Sequence, residues 1–421
     1  MIPYLIRKLA LAVPLIAVVS TVVFGLVHLI PGDPIDFMIG ENAALADKQD
    51  LRRSYHLDKP ALLNTRPWSG PPRVAALLRD SGSRTAEAPP PTAIEARAWE
   101  SLIDLGTWAV PDLLRIWNES GPLSPSAQSA LAEIARIRGW IRAESPEATR
   151  ASLSAWYQAE RHQFVANTRT RLRALFLETQ YAQFFSDLAA GELRSLHSNE
   201  PVLATLKTRF AYTMKLAGCA LLVAMMVSIP IGTIAAWRQY SWVDNVSMLG
   251  ALVGISMPNF WLGPLLIIAF SIELGWFPVS GADQPLSIVL PAITLGLGMS
   301  AILTRITRSS VLDTVKEDYV RTARAKGLHP RVVLLRHALR TALIPVVTIL
   351  GLQFGALLAG SIITEEIFGW PGLGRGIIHA ISERDFPMIQ GCVLLIAVTY
   401  VAVNTVTDLL YTMINPRVRL D

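Results

Sequence analysis

The chain has 421 residues, of which 52% are hydrophobic and only 17% charged, with mean hydropathy +0.39. A soluble domain carries about 25% charged residues, so the composition excludes an ordinary soluble enzyme; its hydrophobicity excludes a disordered chain. Net charge is only +5, and the two cysteines, Cys219 and Cys392, sit singly in apolar runs, which offers neither a disulfide framework nor a metal-ligand spacing.

The first element is an apolar run from Leu9 to Ile30 behind Arg7 and Lys8. It exceeds the 7–15 residues of a signal-peptide core. No small-x-small cleavage site follows; the chain continues Ile30-Pro31-Gly32-Asp33-Pro34. The reading is an uncleaved membrane anchor.

Between Pro60 and Gln180 the composition changes. Ser69-Gly70-Pro71-Pro72 and Pro89-Pro90-Pro91 read as breakers. Three short amphipathic helices follow at helical spacing. Trp99, Leu102 and Ile103 mark the first; Val110, Leu113, Leu114 and Trp117 the second; Ala127, Leu131, Ile134 and Ile141 the third. A longer polar helix is expected over 146–178, with Leu153, Trp156, Tyr157 and Phe164 on one face. Segment 61–179 holds 14 Arg, no Lys and 12 acidic residues, a balance that gives no nucleic-acid-binding stripe. It is either a helical cap packed on itself or a docking surface for a solute-binding partner.

Five further apolar runs follow: Leu216–Trp237, Val246–Ile272, Pro285–Thr304, Thr341–Thr364 and Pro387–Thr407. A spanning helix needs about 20 apolar residues. None of the six runs contains Asp, Glu, Lys or Arg, and a central charge costs roughly 2.5–3.5 kcal/mol on insertion scales. The expectation is an all-α polytopic membrane protein with six transmembrane helices and a small helical insert. Short basic flanks face the cytoplasm. Arg7 and Lys8, Arg238, nine basic residues from Arg305 to Arg340, and Arg417 and Arg419 all fall on one side. Both termini are therefore expected to be cytoplasmic, and residues ~32–209 extracytoplasmic, since long loops translocate largely regardless of charge.

Segment 305–340 offers a short helix around Tyr319, Ala323 and Lys326, closed by Gly327. It is either a lever that another protein pushes or a basic loop on anionic lipid, worth about 1 kcal/mol per Lys or Arg. No G-x-x-x-x-G-K-[S/T] occurs, and Gly369–Gly376 lacks the phosphate-binding lysine. The chain is therefore not expected to hydrolyse ATP. No catalytic constellation is visible. His28 stands alone. Asp408, one turn after Asn404, is an ionisable group at the end of a membrane run and hence a functional candidate. Gly351, Gly355 and Ala359 recur every four residues and permit close helix approach.

The stretch Glu317-Asp318-Tyr319-Val320-Arg321-Thr322-Ala323-Arg324-Ala325-Lys326-Gly327-Leu328 resembles the cytoplasmic loop of ABC importer permeases of the dipeptide/oligopeptide/nickel subfamily. Five further stretches are similar in the same order: Ile6–Leu9 with Pro31–Pro34, Ser256–Gly263, His337–Pro345, Glu365–Gly374, and Asp408–Tyr411 with Asn415–Arg417. The resemblance covers 1–60 and 180–421; insert 61–179 has no counterpart in a typical member. It implies a type I importer permease fold and three segments: 1–60 with the first span, 61–179 as insert, and 180–421 as core with coupling loop 305–340. Tyr319, Arg321, Ala323, Arg324, Gly327 and Leu328 would then dock an ATPase, while Asn259, Gln353 and Asn404 are the candidates for the translocation path. The Gly351–Ala359 stripe serves either packing within the chain or contact with a second permease. The implied partners are a second homologous permease, two ABC ATPase subunits, an extracytoplasmic solute-binding protein and the lipid bilayer, but no nucleic acid. ATP and Mg belong on the ATPases, with no cofactor on this chain. The implied location is a bacterial inner membrane and the solute a peptide or a related small solute. The alternative is a membrane-anchored scaffold or sensor that binds a partner without transport.

Overall fold

The computed structural model describes residues 2–29, 34–40, 48, 51–52, 54–66, 71–82, 92–119, 123–137 and 168–414. They divide into two compact units, one of residues 1–38 and 191–421, the other of 39–190. The described residues form helices with no β-strand, apart from an isolated bridge between Arg194 and Pro201.

Helices α1 (Ile2–Val27) and α2 (Pro34–Ile39) open the first unit. The second unit holds α3 (Pro71–Asp80), α4 (Ala93–Leu105), α5 (Val110–Asn118), α6 (Ser124–Ile137), α7 (Thr168–Leu177) and α8 (Gln180–Ala190). Helices α4, α5 and α6 carry the three expected amphipathic faces. Their inward residues join Val74 and Leu78 of α3 in a core of Leu102, Leu113, Trp117, Leu131 and Ile134. Helix α3 was not expected, because Pro71-Pro72 read as a breaker. Both prolines occupy its first turn, where backbone N–H groups have no helical partner to lose. A capping box starts α4: the Glu95 N–H donates to the Thr92 hydroxyl, and the Thr92 N–H donates to the Glu95 carboxylate at 2.7 Å. Ile141, Leu153, Trp156, Tyr157 and Phe164 lie outside the described residues. The two ends of segment 61–179 run side by side. Gln180 N–H donates to Pro60 O at 2.9 Å, and Tyr181 N–H to Ala61 O at 3.1 Å.

The rest of the first unit is α9 (Val202–Trp237), α10 (Trp242–Ser256), α11 (Asn259–Leu266) continuing as a π-helix to Glu273, α12 (Val289–Thr314), α13 (Asp318–Ala325), α14 (Leu339–Gly360), α15 (Ile362–Ile367), α16 (Leu373–Ser382) and α17 (Phe386–Ile414). Five helical stretches are long and apolar enough to span a membrane, at 6–27, 202–237, 285–314, 330–358 and 386–409. The third expected span is not one rod: α10 and α11 meet at a bend of 103°. Pro258 cannot donate a helical bond, and its ring pushes Met257 out of the helical region, to φ −86°, ψ 115°. The second span outruns its apolar core: 36 residues make a rod of about 54 Å, against roughly 30 Å of hydrocarbon.

Helices α9 and α12 form the centre of the bundle. Leu216, Ala220 and Ala224 meet Leu295, Met299 and Leu303, with Val346 and Leu350 added from α14. Small residues set the spacing: a Cβ on Gly296 would lie 2.7 Å from Val223, and one on Gly232 2.7 Å from the Thr304 carbonyl. A Cβ on Gly351 would come within 2.1 Å of Thr407 and one on Gly355 within 3.1 Å of Tyr400, both on α17. These two glycines of the small-residue stripe therefore pack α14 on α17 within the chain; the side chain at Ala359 lies outside the described residues. Helix α1 lies along α17, and Lys8 pairs with Asp408. Asp408 thus ties the first and last spans together.

Candidate functional site

The basic segment gathers at one end of the bundle. Helix α13 starts after Glu317, with Asp318 in its first turn complementing the helix dipole. Gly327, at φ +76°, reverses the chain after it, a conformation that L side chains adopt only with strain. Val320 and Ala323 face inward, where they join Ala236 of α9, Val311 of α12, and Val333, Leu334, Ala338 and Ala342 on the path into α14. Tyr319 donates its hydroxyl to Thr341 Oγ1 at 3.0 Å. Helix α13 is thereby seated on the ends of three spans. Tyr319, Arg321, Arg324, Gly327 and Leu328 remain open to contact on its outer side. Ala323 is only 6% exposed and packs on the bundle side of the helix.

Next to this cluster lies a pair of which sequence reasoning counted only Arg308, and that only as charge. Arg308 of α12 donates Nε to Asp244 Oδ1 at 2.5 Å and Nη2 to Oδ2 at 2.7 Å. Asp244 is buried, and its Oδ2 also accepts from the Tyr240 N–H at 2.9 Å. The readable signal was Ser241 three residues before Asp244: the Ser241 hydroxyl caps α10 and accepts from the Asp244 N–H.

Asn259 stands in the first turn of α11, where its Oδ1 lies 3.1 Å from the place of a Cβ on Gly298 of α12. Asn404 lies on α17 against Gly355 of α14. No hydrogen bond among the described residues joins Asn259, Gln353 and Asn404. The carbonyl oxygens of Gln353 and Asn404 are buried without a hydrogen-bond partner, and such a group costs about 1–3 kcal/mol. At the α10–α11 bend an open groove of about 370 Å³ is lined by Leu252, Val253, Ser256, Met257, Pro258 and Trp261.

The opposite end of the bundle is closed by a hairpin built on Glu365. This fully buried carboxylate accepts from Thr213 Oγ1 at 2.9 Å, Ser361 Oγ at 3.1 Å and the Arg375 N–H at 3.1 Å. Burial pushes its pKa up, and the hydrogen bonds it accepts oppose that shift. The glycines that follow are demanded by close approach: a Cβ on Gly372 would lie 2.3 Å from Glu365 Oε2, and one on Gly374 2.5 Å from Ile362 Cα. Trp370 donates Nε1–H to Tyr212 O at 3.0 Å and meets the Tyr212 ring edge-on. Among the described residues no group of His, Cys, Asp and Glu is arranged to hold a metal.

The family model described as "binding-protein-dependent transport system inner membrane component" matches residues 228–420. The glutathione transport system permease protein GsiC of Pectobacterium atrosepticum is 44% identical over 244 residues, 58% of this chain and 80% of its own length. GsiC of Escherichia coli strain K12 is 44% identical over 241 residues, 57% of this chain and 79% of its own. The dipeptide transport system permease protein DppB of Alkalihalophilus pseudofirmus is 41% identical over 269 residues, 57% of this chain and 81% of its own. A chain of the inward-facing MetNI methionine ABC transporter has a TM-score of 0.44 at 16% identity, over 51% of this chain and 99% of that one.

Proposed function

The chain belongs to the binding-protein-dependent transport system inner membrane component family, and from that membership we infer the solute, the orientation and the working contacts of this importer permease. As a permease subunit of an ABC importer in the inner membrane, the chain leaves ATP hydrolysis to separate subunits. The scaffold or sensor alternative lacks support, because the relatives are transport permeases.

The solute class is a short peptide, as the glutathione and dipeptide permeases among its relatives suggest. Both termini and α13 face the cytoplasm; residues ~32–209 and the Glu365 hairpin face outward, where a binding protein delivers solute. Two ATPase subunits hold ATP and Mg, and a second homologous permease completes the path. Nucleotide can drive such a cycle only by favouring one arrangement through its own differential binding. The observation that carries this reading is the two-sidedness of α13. Val320 and Ala323 bind it to three spans, while Tyr319, Arg321, Arg324 and Leu328 stay open for an ATPase surface.

The test is the double variant Arg321→Glu, Arg324→Glu, purified from membranes with its ATPase subunits and reconstituted. The expected outcome is normal insertion, loss of at least about nine-tenths of the co-purifying ATPase, and loss of ATP-driven uptake of labelled glutathione and dialanine. A tenfold loss corresponds to about 1.4 kcal/mol of docking energy. ATPase association and uptake equal to the parent chain's would overturn the docking assignment.

A further inference from the structure

The apolar cluster under α13 holds residues of α9, α12, α14 and the approach to α14, but none of α10. The broken third span is attached to α12 along one stripe instead. Asn259 sits against Gly298, the place of a Cβ on Gly254 lies 3.1 Å from the Ala301 Cβ, and Asp244 grips Arg308 through two charge-assisted bonds. Gly298, Ala301 and Arg308 are spaced by three and seven residues, which places them on one face of α12. The first two contacts are van der Waals contacts and can slide. The third is a planar, bidentate pair with fixed direction, and its carboxylate is further held by the Tyr240 N–H. Arg308 lies less than two turns from the end of α12, and three residues separate that end from α13.

We propose that the Asp244–Arg308 pair is the positioning element that makes the broken third span follow α12 and α13. A displacement imposed on α13 passes into α12 directly, since the two are continuous but for a tight turn. It passes into α10 at Asp244. From there α10 is an uninterrupted rod to Met257, so the displacement arrives at the α10–α11 bend and its open groove. Both residues act through the helices they lock, without touching solute. The inference rests on the reading of α13 as the ATPase-facing lever.

The test uses the complex with its ATPase subunits in proteoliposomes. Cys219 and Cys392 are replaced by Ser, and spin labels are placed on cysteines introduced at the exposed positions Ser256 and Lys326. In the parent chain and in Asp244→Glu, the distance between the labels is expected to stay the same in nucleotide-free and vanadate-trapped complexes. In Asp244→Asn, which keeps the shape and the acceptor for Tyr240, that distance is expected to shift on trapping. Uptake of labelled glutathione or dialanine per ATP hydrolysed should fall roughly tenfold, within the usual range for linked sites. ATPase co-purification should be unchanged. Should Asp244→Asn fail to assemble, Arg308→Lys, which keeps the charge but loses the two-pronged contact, carries the same comparison. Equal distances and equal uptake per ATP in variant and parent would overturn the proposal. A parent complex that hydrolyses ATP without taking up either solute would overturn the importer reading itself.

Discussion

Replacing Glu365 by Ala removes the acceptor of Thr213, Ser361 and the Arg375 N–H together. Each buried group left unsatisfied costs about 1–3 kcal/mol, so the variant is expected to unfold at clearly lower temperature in detergent. Glu365→Gln should be far milder, because the two hydroxyls can turn to accept from its amide. The same residue sets a pH dependence. Its folded pKa is raised above the ordinary glutamate value of 4.5, chiefly by burial. The folded chain therefore binds a proton more tightly than the unfolded one, and stability falls as pH rises from 4.5 to the folded pKa. Melting temperatures measured across that range should show the fall in the parent chain and its loss in Glu365→Gln. Little of this was legible beforehand. Glu365 and Glu366 are adjacent and chemically alike, and only the phase of α15 buries the first while leaving the second at the surface. The helix of α13 was legible, because its spacing alone gives one; that Ala323 lies on the buried side was not, because spacing does not say which side packs on the bundle.

Among the elements, glycine positions separate packing from mere presence. Gly351→Ala drives a methyl group into Thr407 and is expected to destabilise by about 1–3 kcal/mol, the usual cost of overpacking. Gly218→Ala, inside α9 with nothing within 4 Å, should be neutral or stabilising by up to about 1 kcal/mol. Thermal unfolding of the two variants side by side checks the contrast, and equal shifts would dismiss the α14–α17 contact. All six apolar runs became helices, since length and hydrophobicity suffice for that. The break in the third did not follow from its prolines alone: Pro230 and Pro345 lie inside unbroken helices. What differs at Pro258 is the extended backbone of Met257, at φ −86°, ψ 115°, where the residues before Pro230 and Pro345 stay helical.

At the level of the whole molecule, the chain enters and leaves segment 61–179 through adjacent backbone, with the Gln180 N–H on Pro60 O at 2.9 Å. Joining Pro60 to Gln180 therefore needs only a local shift of the two ends, and domain insertion succeeds where such ends meet. A chain lacking 61–179 is expected to insert and to co-purify with its ATPases as the full chain does, measured by membrane yield and subunit ratio. Aggregation or loss of the ATPases would show that the insert belongs to the permease fold. The expected boundaries of this segment rest on composition, where Pro and Gly clusters and a rise in charge are local signals; the compact unit that holds it runs from 39 to 190. The path candidates Asn259, Gln353 and Asn404 were not resolvable in the same way. Whether a polar side chain in an apolar run faces a neighbour or a passage depends on the opposing helix, and no local signal reports it.

The Lys8–Asp408 pairing spans 400 residues of sequence, and α1 lies along α17. Helix α1 therefore docks on a helix that leaves the ribosome some 400 residues after it. At about 5–20 residues per second, the leading helix waits roughly 20–80 s in lipid before its mate is made. Most of its surface is apolar and suited to that interval. Synthesis of α17 then becomes the event that latches α1 into the bundle, and a product terminated before it is left with that helix adrift.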